Sequence, residues 1–140
     1  MRSRMRIESP VAADFNGDGK LDLAIVDYDQ AQVSVLLGNG DGTFQPPMAF
    51  AVGQAQPDWA VAGDFNGDGK LDLAVANFDF FEGNTVSILL ANGDGTFQPY
   101  VDYPAGPGGN DSITVADFNG DGKLDLATGN PSGFRSAGQR

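Results

Sequence analysis

The nine-residue stretch DFNGDGKLD occupies residues 14–22 and recurs without change at residues 64–72 and 117–125. The first two copies start 50 residues apart and the last two start 53 residues apart. Each copy leads into a short apolar run, such as LAIV after Asp22. A long repeat period of this kind is typical of proteins built from stacked supersecondary units. The spacing therefore divides the chain into consecutive copies of one unit.

Each unit is predicted to contain four short strands. In the second unit, the strands are expected at residues 59–63, 71–77, 85–90 and 97–103. β-branched residues are frequent, and glycine interrupts the sequence too often for long helices. Four strands at a period near 50 residues is the spacing of propeller blades. The predicted fold is therefore all-β, with four-stranded antiparallel blades of the β-propeller type.

The repeat gives about two and a half blades, because the third unit is expected to stop after its second strand. A closed propeller has ~4–8 blades. The chain is therefore predicted to be an incomplete propeller, or one completed by assembly. The predicted segments are an N-terminal linker (1–10), blade 1 (11–58), blade 2 (59–111), the first half of blade 3 (112–130) and a C-terminal tail (131–140).

The repeated loop has the composition of a calcium-binding loop. Oxygen-bearing side chains stand at its positions 1, 3, 5 and 9, which in the first copy are Asp14, Asn16, Asp18 and Asp22. Calcium takes about 6–8 oxygen ligands, and position 7, Lys20, would add its backbone carbonyl. The glycine at position 6 permits the sharp turn that such a loop needs. Magnesium fits less well, because it prefers a small octahedral shell and retains its waters.

We expect three calcium ions, one in each loop. Three carboxylates converge in each loop, so a folded loop without a cation would repel itself. Three bound ions would change the formal charge from −11 to −5 (−11 + 6). The predicted metal-binding residues are Asp14, Asn16, Asp18, Lys20, Asp22, Asp64, Asn66, Asp68, Lys70, Asp72, Asp117, Asn119, Asp121, Lys123 and Asp125.

The NGDG sequences at residues 39–42 and 92–95 are interpreted differently. They lack acids at the flanking ligand positions and lie between two predicted strands. Asn-Gly and Asp-Gly pairs favour the tight turns of β-hairpins. We therefore predict hairpin turns here rather than metal sites.

The position of the last acid separates the loop from helical calcium motifs. EF-hands and dockerins need a ligand at position 12 and flanking helices, whereas position 12 here is Ile25, Val75 or Thr128. Closure at position 9, followed by a strand, resembles the FG-GAP/VCBS repeat, the calcium-loop blade of integrin α-subunit propellers. The segments DFNGDGKLDLA and NGDGTF carry this resemblance, which extends from Val11 to Asn130.

The resemblance implies a secreted or surface-exposed protein. FG-GAP/VCBS repeats occur mostly in bacterial surface proteins, adhesins, lectin-like propellers and integrin heads, where the calcium loops join the first two strands of a blade and are mainly structural. We therefore expect an extracellular or cell-surface location. Residues 1–10 contain three arginines without a following apolar run, and they are not expected to be a signal peptide.

The composition argues against several functional classes. The chain has no histidine and no cysteine, which excludes Ser-His-Asp and Cys-His nucleophile systems. Its acids are used as metal ligands and leave no evident pair for glycoside hydrolysis, so we do not expect an enzyme. A formal charge of −11 disfavours nucleic acid and anionic membranes as partners. No stretch approaches the ~20 apolar residues of a spanning helix, so membrane insertion is not expected.

Aromatic residues mark the candidate binding surface. Phe78, Phe80 and Phe81 lie in the insertion that lengthens the second unit, where they would stack on a carbohydrate, dock another protein or cover the blade core. Trp59 stands at a strand entry, where packing is expected more than sugar binding. The phenylalanines at loop position 2 are assigned to the core: Phe15, Phe65 and Phe118.

Two functions remain open. The first is a calcium-stabilised adhesion or recognition module with a protein or carbohydrate ligand, cut from a longer propeller whose other blades are its partners. The second is an extracellular structural protein that assembles with itself into a ring or filament. In that case the open strand edge of the half blade would pair with another copy, and Met5-Arg6-Ile7 would serve as a donated strand.

Overall fold

A computed structural model describes residues 10–53, 56–78, 84–106, 112–130 and 133–137. These residues contain eleven β-strands in three antiparallel sheets and no helix. The all-β prediction, with four-stranded antiparallel sheets, is confirmed. None of the described residues belongs to a helix that could cross a membrane. The segment Met5-Arg6-Ile7 lies outside the described residues.

The first sheet contains four strands in chain order. They are β1 (Val11–Ala13), β2 (Asp22–Asp27), β3 (Gln32–Leu36) and β4 (Met48–Ala51). Every pair of neighbours is antiparallel, with Ala24 opposite Val11 on one side and opposite Val35 on the other. Residues of β2 are alternately buried and half-buried, which is the period of a strand with one well-covered face.

The second sheet repeats this order. Its strands are β5 (Gln56–Gly63), β6 (Asp72–Phe78), β7 (Asn84–Leu89) and β8 (Val101–Gly106). The first strand begins earlier than predicted and contains a register shift between Pro57 and Trp59. The fourth begins later than predicted, because Phe97 forms only an isolated bridge with Ala91.

The third sheet differs from the prediction. It contains β9 (Ser112–Ala116), β10 (Asp125–Asn130) and β11 (Gly133–Ala137), with β10 in the centre. The prediction that the unit stops after its second strand, with a tail over 131–140, is therefore wrong. Residues of β11 pair with Leu126 to Asn130. Strand pairing is made by the backbone, and the sequence of β11 lacks the apolar alternation on which the prediction relied.

The two NGDG sequences connect the third and fourth strands of the complete units, as predicted. The Asn39 N–H donates to the Thr43 carbonyl at 2.9 Å, and Asn92 donates to Thr96 at the same distance. Gly40 has a φ of 83°, in the left-handed region that favours glycine. The hairpin interpretation of this motif is confirmed.

The sheets pack against one another face to face. In β6, six consecutive residues are buried, whereas β2 buries only alternate residues. The second sheet lies between two others and has two apolar clusters, one on each face. The larger cluster joins the first and second sheets and includes Val26, Val35, Leu73 and Leu89. The smaller cluster, which contains Val86 and Ile113, joins the second and third.

The phenylalanine at loop position 2 connects each unit to the next. Phe15, which is 2% exposed, meets Phe97 of the second unit edge to face, with ring centroids 5.7 Å apart. Phe65 is half-buried against the smaller cluster. Phe118 is 55% exposed, so its assignment to the core is wrong. Its sequence surroundings match those of Phe15, but none of the described residues forms a following sheet that would cover it.

This difference predicts unequal effects for one substitution at equivalent positions. Phe15→Ala should lower the free energy of unfolding by about 3–5 kcal/mol, because it opens a cavity between two sheets. Phe118→Ala, the matched control, should change it by no more than about 0.5 kcal/mol. Urea unfolding in dilute solution measures both. Equal losses would show that the first and second sheets do not pack as described.

Candidate metal centre

The first aspartate of each loop organises the backbone around itself. The Asp14 carboxylate accepts N–H groups from Gly17 at 2.7 Å, Asp18 at 3.1 Å and Gly19 at 2.8 Å. Asp64 and Asp117 accept the equivalent three groups in their own loops. Three copies of the sequence therefore fold into three copies of one hydrogen-bonded turn.

The glycines of the loop are required by conformation rather than by space. Gly17 and Gly19 have φ values of 74° and 82°. A Cβ atom added at either position would meet no atom within 4 Å. Residues with a side chain rarely adopt this left-handed conformation, so the two glycines allow the chain to curl around Asp14.

Positions 3 and 5 also bond to each other and to the backbone. Asn16 donates its side-chain amide to Asp18 at 3.2 Å and accepts the Asp18 N–H at 3.1 Å. The other oxygen of Asp18 accepts the Lys20 N–H at 2.9 Å. These side chains lie at the exposed side of the loop, where a cation from solvent has access to them.

The last aspartate of the loop is buried and reaches beyond it. Asp22 accepts the Phe15 N–H at 2.8 Å with one oxygen and the Gly38 N–H at 2.8 Å with the other. Phe15 belongs to the same loop, but Gly38 follows β3. One carboxylate thus ties the β1–β2 loop to the β3–β4 connection.

The second unit repeats this arrangement, and the third repeats the part of it that lies within the loop. Asp72 accepts N–H groups from Phe65 at 2.9 Å and Ala91 at 2.8 Å. Asp125 accepts the Phe118 N–H at 3.0 Å. The sequence predicted these aspartates only as metal ligands and missed their role as links between segments. The sequence signal for this structural role is their position as the first residue of a buried strand.

The carboxylates within one loop have opposite pKa shifts. Hydrogen bonds from backbone N–H groups, above all that of Gly69, lower the pKa of Asp64. Burial raises the pKa of Asp72, and the negative charges of Asp68 and Asp64 raise it further. The loop therefore holds a buried acid next to two others of the same charge, an arrangement that a bound cation would stabilise.

The donor chemistry of the loop fits calcium. Every predicted ligand position carries an oxygen, and a carboxylate has about four lone-pair sites, of which the two N–H groups on Asp22 use two. Within the described residues, however, no group of three or more acids is gathered closely enough to hold a metal ion. Asp14 and Asp22 instead accept backbone N–H groups from different segments. Calcium binding by these residues stays a prediction.

The repeat is also recognised by comparison with protein families. The family model of the FG-GAP-like repeat matches residues 14–75 and 64–128. Together the two matches cover most of the 140 residues. The chain belongs to the FG-GAP-like repeat family. Comparison of this FG-GAP-like repeat protein with curated proteins and with solved structures gave no match.

In this FG-GAP-like repeat protein, the DFNGDGKLD loop and the NGDG hairpin are neighbours. The side chain of Lys20 runs beside Gly40, so that a Cβ added there would lie 3.2 Å from it. Asp41 accepts both the N–H and the hydroxyl of Thr43. These bonds lower the pKa of Asp41, and the Lys20 charge adds to the effect. The NGDG motif therefore uses its acid to close a turn.

A buried polar cluster lies at the other end of the second sheet. The Asn77 side chain donates to the Ser87 hydroxyl at 2.7 Å, and the Gly53 N–H donates to the same oxygen at 2.9 Å. Ser87 in turn donates to Asp102. Among the described residues, the Asn77 side-chain oxygen has no hydrogen-bond partner. Sequence reasoning missed this cluster, because its side chains come from three strands.

The predicted aromatic surface is only partly described. The Trp59 side chain is 39% exposed, so it is neither fully buried nor fully free of packing contacts. Phe78 is half-buried at the end of β6. Phe80 and Phe81 lie outside the described residues, so their roles stay predictions.

The role of the buried aspartate can be separated from metal binding. Asp72→Ala should lower the free energy of unfolding by at least about 2 kcal/mol even in excess chelator, because it leaves two backbone N–H groups without an acceptor. Asp68→Ala, in the same loop but exposed, should cost less than about 1 kcal/mol under those conditions. Denaturant unfolding with chelator provides the comparison. If both variants lose the same free energy, Asp72 does not link the loop to the segment after β7.

Proposed function

We propose that this FG-GAP-like repeat protein is an extracellular calcium-binding module for adhesion or recognition, in which calcium stabilises the blades. The observation that carries this proposal is the threefold occurrence of one loop with oxygen donors at the same positions. The acids at positions 1, 5 and 9 also accept N–H groups within the protein, but each carboxylate has about four lone-pair sites, so these bonds leave lone pairs for a cation. In the second loop, the ion would be held by Asp64, Asn66, Asp68, the Lys70 carbonyl and Asp72.

The electrostatics of the loop support a divalent cation. Burial raises the pKa of Asp72, the charges of Asp68 and Asp64 raise it further, and the N–H groups of Ala91 and Phe65 offset only part of this effect. A cation reverses the sign of that interaction. The net charge of −11 acts in the same direction by attracting cations to the whole surface.

The position of the loops supports a structural role for calcium. Each loop immediately precedes the second strand of its sheet, and its last acid also contacts the segment after the third strand in the complete units. An ion bound there would tie together segments that are distant in sequence. Every acid of the loop is a proposed ligand of the ion, which leaves none as a general acid or base, so we propose a binding role and not a catalytic one.

The opposite end of the blades is the proposed recognition surface. In the second sheet this end holds exposed Trp59 and exposed Asp102, whose carboxylate accepts the hydroxyl of buried Ser87. An aromatic side chain beside hydrogen-bonding groups suits a carbohydrate or a protein ligand. A location outside the cell supplies the calcium concentration that weak extracellular sites need, ~10⁻⁴–10⁻³ M.

Calcium stoichiometry tests the proposal. Isothermal titration calorimetry with calcium should give three ions for the natural chain and two for Asp68→Ala, because that change removes an acid from one loop only. Asp94→Ala, the matched control in an NGDG turn, should retain three. The Asp68→Ala chain should also melt at a lower temperature than the natural chain in about 2 mM calcium. An unchanged stoichiometry in Asp68→Ala would contradict the assignment of the loops.

A further inference from the structure

The junction between the first and second units is built from a small set of apolar contacts. Phe15 packs edge to face on Phe97, and Phe50 does so from β4 with ring centroids 5.4 Å apart. Leu71 packs against the same cluster. At the next junction, Leu124 lies so close to Gly63 that an added Cβ would be 3.0 Å from it. Each unit therefore packs against the preceding unit with one face of its sheet and against the following unit with the opposite face.

Among the described residues, the first and third units each have a neighbouring unit on one side only. The apolar contacts of the junction are incomplete on their other side. On the first unit, Leu21 is 67% exposed and Phe44 is 40% exposed. They occupy the repeat positions of Leu71 and Phe97, which are packed inside the junction. On the third unit, exposed Phe118 occupies the position of buried Phe15. Three of the large exposed apolar side chains thus occupy repeat positions whose counterparts are packed in the junction between the first and second units.

The burial of residues in β2 and β3 shows the same incompleteness on the first unit. We define the leading face as Leu21, Leu23, Ile25, Leu36 and Phe44. Its members Leu23, Ile25 and Leu36 are half-buried, whereas their repeat counterparts in the second unit are completely buried. We define the trailing face as Thr114, Ala116 and Phe118. Side chains there are exposed or half-buried.

We propose that the leading face of one copy of this chain docks on the trailing face of a second copy, head to tail, and recreates the junction between its own units. Phe118 then takes the place of Phe15 against Phe44, which stands where Phe97 does. Leu21 and Ala116 then stand where Leu71 and Ala13 pack in the junction between the first two units. We assign the partner as a second copy because one chain carries both the leading and the trailing face, and their residue types resemble those of its own junction.

This contact differs from pairing at an open strand edge. It uses side chains of sheet faces, and it joins two different surfaces of identical molecules. Such a heterologous contact repeats from copy to copy until a ring closes or a filament grows. The contact is apolar, so it does not rest on calcium binding; loss of calcium stoichiometry and loss of assembly are separate results.

Complementary variants test the proposal. Leu21→Glu blocks the leading face and Phe118→Glu blocks the trailing face, so each variant alone should remain at the single-chain mass of 14.6 kDa. An equimolar mixture should form a particle of twice that mass, because each variant retains the face that the other has lost. Formation of this heterodimer also shows that both variants are folded.

The mass is measured by size-exclusion chromatography with light scattering, in about 0.15 M salt, where charges more than ~8 Å apart are largely screened. The unsubstituted chain should assemble with rising concentration, and the control Gln45→Glu, which adds one charge to the exposed segment before β4, should assemble like it. A natural chain that stays at 14.6 kDa at every concentration would overturn the proposal, since other units would then cover these faces. Assembly of either single variant, or a mixture that stays monomeric, would overturn it as well.

Discussion

The rest of this structure depends on the buried carboxylate at the end of each DFNGDGKLD loop. In the complete units, Asp22 and Asp72 each accept two backbone N–H groups, one from the loop and one from the segment after the third strand. A buried charge without such partners would be very costly. Because the two donors come from different segments, satisfying the charge fixes the relative positions of the loop, the second strand and the hairpin that follows.

Stacking builds on this local order. A sheet held in one register presents alternate side chains to each neighbour, and the second sheet uses both sets: Leu73 and Val75 face the first sheet, while Ala74 and Ala76 face the third. The same pattern of residues in β2 buries only one set. The difference between the two sheets arises from their neighbours and not from their sequences. Repeat units of this kind are stabilised largely by the interface with the next unit.

Much of this architecture could be predicted from the sequence. The identical loops set the repeat, the alternating apolar runs indicated strands, and NGDG indicated a hairpin whose turn needs left-handed glycines such as Gly40. The exposure of Phe118 could not be predicted, because its local sequence matches that of Phe15 and only the neighbour differs. Strand β11 was missed because backbone pairing leaves no pattern in a short polar sequence. The Asn77 cluster was missed because the first unit has Asp27 and Ala49 at two of its positions and so shows no repeat of it.

The last aspartate of the loop accepts backbone N–H groups and is also a predicted calcium ligand. The spacing of the acids in the sequence could not separate these two roles. Either role would be filled by an aspartate at the same place after the glycine turn. Amide hydrogen exchange separates them most directly, because the N–H groups of Phe65 and Ala91 have Asp72 as their acceptor. In excess chelator, we expect these two amides to be protected to nearly the same degree as that of Val75 within β6. The amide of Thr96, which is bonded to exposed Asp94, should exchange rapidly. Rapid exchange at Phe65 and Ala91 would show that the buried carboxylate does not hold the unit together.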